Sequence, residues 1–161
     1  MKTKLVNIFV ALSLLLAIST PAFSWDFFSY TELHFPDVMK DEPWLEVIDN
    51  HEDWEAFYLG VAPLFTDLAP ELQIVPEIDF DNFTVIAGGL GIRPSRASRL
   101  SVESVINAGD TVFVNLLWVV AGQYCASPAS TEYPTTVMLI RKSDKQLTFH
   151  LDEVVHECEP Y

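Results

Sequence analysis

From Phe83 onward the sequence is a succession of β-prone runs cut by short polar turns, and this punctuation limits the fold more than any other feature. Phe83 to Gly89 (FTVIAGG) reads as a buried strand. Arg99 to Ile106 alternates Leu100, Val102 and Val105 against Ser101 and Glu103, with one slip of phase that marks a bulge. Asn107-Ala108-Gly109-Asp110 is a hairpin turn. It leads into Thr111 to Val120 (TVFVNLLWVV), whose near-continuous apolarity predicts a central strand. Gly122 to Pro134 reads as a loop, Thr135 to Lys142 as a strand, Ser143 to Gln146 as a tight turn and Leu147 to Val155 as the last strand. Neighbouring strands joined by such short turns predict an antiparallel sheet of about five to six strands.

The preceding stretch contributes one helix. Residues 25–43 lack periodicity and read as an extended N-terminal segment, followed by a strand over Trp44 to Ile48 (WLEVI). Asp49-Asn50 supplies helix caps, and Glu52 and Asp53 place negative charge in the first turn, where the helix dipole favours it. Trp54, Phe57, Tyr58 and Val61 recur at helical spacing, so the pattern predicts a helix over 51–59 with an aromatic inner face, ended by Gly60. A weaker helical turn is expected near Leu64 to Leu68, and Pro63, Pro70 and Pro76 make the rest of that stretch a loop. The expected class is α+β, a single domain over 44–161 with the short helix packed on the sheet.

Residues 1–24 have the parts of a secretory signal peptide. Lys2 and Lys4 precede a mostly apolar run from Leu5 to Ile18, Pro21 breaks it, and Ala22-Phe23-Ser24 puts small residues before a cut at Trp25. A membrane anchor would need about 20 apolar residues, and this run is shorter. The expected product is a soluble periplasmic or secreted protein with no further membrane span. Removing those 24 residues and their two lysines turns a net charge of −14 on 161 residues into −16 on 137. Trp25 to Asn82 holds 15 acids and one base, Lys40, whereas Phe83 to Tyr161 holds 8 acids and 6 bases. So acidic a chain argues against nucleic-acid binding, which needs a basic face. Its 50% hydrophobic content argues against disorder. The acidic half reads either as a solvated surface or as a docking face for a basic partner.

Cys125 and Cys158 are the only cysteines, and in an exported chain they are expected to form one disulfide, with free thiols or a metal site as the alternatives. Other constellations point less far. Gly88-Gly89-Leu90-Gly91 follows a strand as a phosphate loop would, yet no helix start or lysine stands behind it, so close backbone approach is the better reading. Ser95, Ser98 and Ser101 have no Gly-x-Ser-x-Gly elbow around them. On a strand His150, Asp152, His156 and Cys158 would share one face and could offer zinc ligands, but the spacing matches no established zinc pattern. No cofactor motif is present. Arg93, Arg96 and Arg99 fall within seven positions, in a loop between two strands, and could form a cationic knob on an anionic protein. Trp118 and the helix aromatics are expected in the core.

The order of these motifs resembles the PrcB C-terminal domain family, found in an accessory subunit of a bacterial secreted protease complex. Val47 to Phe57 (VIDNHEDWEAF) resembles its opening strand and tryptophan-bearing helix, Asp79-Phe80 its turn, and Gly91-Ile92-Arg93-Pro94 its Gly-x-Arg-Pro element. A cysteine-containing loop, here 122–134, comes next, and the resemblance covers roughly residues 44–150. The family continues with Thr-Gly-Gly-Tyr where this chain has Ser95-Arg96-Ala97-Ser98, which replaces two permissive glycines and adds a charge. The resemblance implies a non-catalytic exported domain that binds or stabilises another exported protein such as a protease. Gly91, Arg93, Pro94, Arg96 and Arg99 are then the expected contact residues. Two alternatives are a protease inhibitor that presents the 91–99 loop and a metal-dependent hydrolase built on His150 and His156.

Overall fold

The computed structural model describes residues 25–61, 74–94, 99–122, 125 and 131–158. The expected signal peptide, the helical turn near Leu64 to Leu68 and Arg96 lie outside the described residues. Ten strands and one helix are described: β1 (Trp25–Phe27), β2 (Tyr30–Leu33), β3 (Trp44–Ile48), α1 (His51–Val61), β4 (Phe83–Gly89), β5 (Arg93–Pro94), β6 (Arg99–Ala108), β7 (Thr111–Ala121), β8 (Thr131–Glu132), β9 (Thr135–Arg141) and β10 (Gln146–His156).

The helix forms where the sequence places it. Asn50 is its N-cap, its side-chain oxygen accepting the Asp53 backbone N–H at 2.9 Å. Trp54, Phe57 and Val61 are buried, and Gly60 lies one residue inside the helix end rather than beyond it. The buried stripe packs against β4 and β9 through Val85, Ala87 and Val137, with Phe35 stacked on Phe57 at 5.5 Å. Alternate residues of the same strands, Ile86, Met138 and Ile140, face the opposite way and pack on Val102, Val105, Val112 and Val114. The period of two thus gives β4 and β9 two apolar faces, each buried in its own cluster.

Those two clusters separate three layers, and here the expected single sheet is corrected. One four-stranded sheet runs β2-β9-β4-β3 and occupies the middle; a second, β1-β6-β7-β10, covers its far side; β5 and β8 form a small ribbon. The structure is mostly β, an α+β arrangement with more strands than the sequence suggests. Residues 25–43 are not merely a lead-in: they give β1 to the outer sheet and β2 to the middle one, and bury Val38.

A second correction concerns the last strand. A tight turn over Ser143 to Gln146 predicts that Leu147 to Val155 folds back on β9, yet β10 pairs with β7 in parallel along its length, from Gln146↔Thr111 to His156↔Ala121. The polar segment after β9 is an arch between layers, not a hairpin. Lys142 N–H is held by the Asn82 carbonyl in the middle layer, and Gln146 N–H by the Asp110 carbonyl in the outer one. An arch puts Leu147 and Phe149 into the inter-sheet core, where a hairpin on β9 would leave the outer sheet without an edge strand.

The expected bulge is present. Pairing steps from Val102↔Leu116 to Ser104↔Asn115, leaving Glu103 unpartnered in the ladder, so Leu100, Val102 and Val105 all point inward. The Val102 backbone, displaced by the bulge, is served from β2: the Tyr30 hydroxyl donates to its carbonyl at 3.2 Å, and the Glu32 carboxylate accepts its N–H. Two side chains of the middle sheet's edge thereby tie down the outer sheet.

Candidate functional site

Of the expected contact residues, Gly91, Arg93 and Pro94 follow the point where β4 leaves the middle sheet, and Arg99 opens β6. Gly89 ends β4 beneath the Trp44 indole and the Pro134 carbonyl, leaving no room for a side chain. This is close approach, as the sequence suggests, and the next element is a strand, with no helix to hold a phosphate. Leu90 N–H then bonds the Pro134 carbonyl, and Ile92 N–H the Asp41 carbonyl, both at 3.0 Å. Between them Gly91 takes φ +74°, and a Cβ there would run into the backbone of Asp41 and Glu42. Gly91 is buried, so its part is to shape the turn that presents β5.

β5 forms a short ribbon with β8, pairing Arg93 with Glu132 and Pro94 with Thr131. The Arg93 guanidinium lies 5.6 Å from the Trp118 ring centre, a cation–π contact, and donates to the Ile92 carbonyl at 2.8 Å. Trp118 is therefore half-buried and capped by an arginine instead of being enclosed in the core, and its indole N–H has no partner among the described residues. Arg99 opens β6 beside Val119, and Leu100 pairs with Trp118. Arg93 and Arg99 consequently sit at one end of the outer sheet, Arg93 over Trp118 and Arg99 exposed at the start of β6.

Carboxylates from distant parts of the chain surround them. Arg99 lines a cleft of about 200 Å³ together with Glu32, His34, Asp37 and Thr135. Burial raises the Asp37 pKa above the usual 3.8, the Glu132 charge adds to that, and the Tyr133 N–H opposes it. The result is a patch of mixed sign. Sequence reasoning singles out the arginines but not Asp37, Glu132 or the stacking of Arg93 on Trp118. These groups are separated by tens of residues, and no local pattern links them.

The raised Asp37 pKa has a definite consequence. The folded state binds this proton more tightly than the unfolded chain, so the associated stability is present below pH 3.8 and is lost as pH rises through the folded value. Asp37→Asn should therefore raise the melting temperature at pH 7 and have a shrinking effect as pH approaches 3.8. Thermal unfolding at both pH values checks this, and an effect of equal size at both would contradict it.

The members of the metal candidate do not come together as a site. His150, Asp152 and His156 do share the solvent face of β10, pairing with Asn115, Leu117 and Ala121. Cys158, however, is bonded to Cys125, with 5.0 Å between the Cα atoms. Among the described residues no three His, Cys, Asp or Glu side chains converge on a point that could hold a metal ion. Ser101 lies beside Leu117 on the outer sheet, whereas Ser95 and Ser98 lie outside the described residues. No described helix is long and apolar enough to cross a membrane.

Fold and site together define a three-layer α+β domain, disulfide-bonded, with a mixed-charge patch at one end of its outer sheet. Searches against protein-family models, curated proteins and solved structures return no match for this chain.

Proposed function

We propose that the chain is an exported, non-catalytic protein-binding domain of the PrcB-like kind, acting as an accessory or stabilising partner of a secreted protease. On this reading residues 1–24 are a signal peptide removed near Ser24/Trp25, and the domain works in the periplasm or outside the cell. The observation that carries it is the arginine end. Arg99 is exposed on the sheet rim, and Arg93 is held over Trp118 by a ribbon that Gly91 braces. A stacked guanidinium beside an aromatic ring is a composition enriched where proteins contact one another. Arg93, Pro94, Arg96 and Arg99 are the contact residues, presented by the turn that the buried Gly91 shapes, and the acidic N-terminal half offers a second face to a basic partner.

One observation favours a second reading, a protease inhibitor. The ribbon is braced from below and leaves Ile92 and Pro94 exposed, as a loop inserted into an active site would need. Turnover assays with exported proteases separate the two, because an inhibitor blocks cleavage and an accessory domain leaves it unchanged or raises it. We expect the latter. Complexes recovered from the native exported fraction should weaken at least about tenfold in low salt on Arg93→Glu/Arg99→Glu exchange. A complex that survives this exchange would place the contact elsewhere.

A further inference from the structure

The edge of the outer sheet carries a second surface. β10 is its last strand and runs eleven residues, from Gln146 to His156. From His150 to His156 every residue is exposed, including Leu151, Val154 and Val155, each about half open to solvent. Long edges that expose apolar side chains are normally shortened, covered or broken by proline or charge, because their free N–H and C=O groups pair readily with another strand. The ladder decides which of those groups are free. The His156 carbonyl accepts the Gly122 N–H, so the even-numbered residues of β10 address β7. The odd-numbered ones, Phe149, Leu151, Glu153 and Val155, direct their backbone groups to the open edge.

We infer that β10 pairs antiparallel with β10 of a second copy of this chain, about a two-fold axis through Leu151. Leu151 is the midpoint of the strand, so this register leaves no residue unpaired. It joins the two four-stranded sheets into one of eight. Opposite residues then lie on the same face. On the inner face Leu151 meets its own copy, and Leu147 meets Val155, which covers exposed apolar side chains. On the solvent face His150 stands opposite Asp152, and the symmetry repeats that pair. Phe113 stacks on the His150 ring at 5.8 Å and holds it beside the edge.

Charge selects the register. An axis through Asp152 or Glu153 would set two like carboxylates face to face, which is destabilising. Centring on Leu151 instead places Asp152 against a histidine and Glu153 against Phe149. The acidic residues that would repel other strands are thus accommodated by this one, and a second copy fits the edge better than an arbitrary extended peptide. The contact lies apart from the arginine end and does not depend on it.

Sedimentation equilibrium on the purified protein tests the inference. The wild type is expected to form a concentration-dependent dimer, populated by about 100 μM. His150→Asp should weaken it by about tenfold, since it sets like carboxylates opposite each other in both symmetric pairs. Asp152→His should weaken it by removing the carboxylate that faces His150, and the double exchange should restore wild-type association within about twofold. Leu151→Pro removes an N–H that faces the edge and not β7, so it should give a monomer that still melts cooperatively. A wild type that remains monomeric, a double exchange no better than the single ones, or a folded Leu151→Pro dimer would overturn the inference.

Discussion

Trp54→Ala is expected to lower the unfolding free energy by about 4 kcal/mol, within the range of large aromatic truncations in cores. Trp54 is 1% exposed and packs against Phe35, Phe57 and Tyr58, so no neighbouring side chain can swing in to fill the space without leaving the cluster. Its indole N–H also donates to the Pro76 carbonyl at 2.9 Å, which ties the segment before β4 to the helix. Alanine removes the ring and that hydrogen bond together. For a domain of this size the loss corresponds to a fall in melting temperature on the order of 15 °C. Trp54→Phe, which keeps most of the volume, should cost roughly half as much. Urea or thermal unfolding measures both, and a loss below about 1 kcal/mol for the alanine variant would show that the helix face is not a principal core.

Replacing both cysteines by serine is expected to cost about 3–4 kcal/mol, the chain-entropy value for a loop closed by residues 33 apart. The structure says where the loss will show. Cys125 lies beyond the end of β7 and Cys158 beyond the end of β10, so the bond staples the far end of the parallel pair. The near end is held by Leu147 and Phe149 in the inter-sheet core, whereas the exposed stretch from His150 onward has no such anchor. Hydrogen exchange in the variant should therefore accelerate over Val154 to His156 and change little at Leu147 to Phe149. Uniform acceleration along β10, or a cost below about 1 kcal/mol, would argue that the bond constrains the unfolded chain alone or is dispensable.

Much of the fold can be read from local pattern. The strand over Trp44 to Ile48 and that over Phe83 to Gly89 have the bounds expected of them, and the slip near Val102 is a bulge. These features are legible because period-two and period-3.6 apolarity reports burial directly. β1 and β2 are not, because edge strands of three and four residues bury too few side chains to leave a period. The partner of β10 is equally invisible. A short polar link between two strands has the same composition whether it turns back in one sheet or arches to another.

At the candidate site the residue types are legible and their relations are not. Arg93, Arg96 and Arg99 stand out by spacing, whereas Trp118 and Glu132 meet Arg93, and Asp37 shares a cleft with Arg99, only through pairings between segments far apart in the chain. The amino-acid sequence by itself determined the longer strands, the helix with its aromatic stripe, the cysteine pair and the strong excess of acid in the first half. Only the tertiary structure decided that β4 and β9 lie between two apolar clusters, that β10 runs parallel to β7, and that Arg93 covers Trp118. The division has a physical reason. An element forms from interactions between residues a few positions apart, but its neighbour is chosen by which apolar face remains uncovered, and that depends on the whole chain at once.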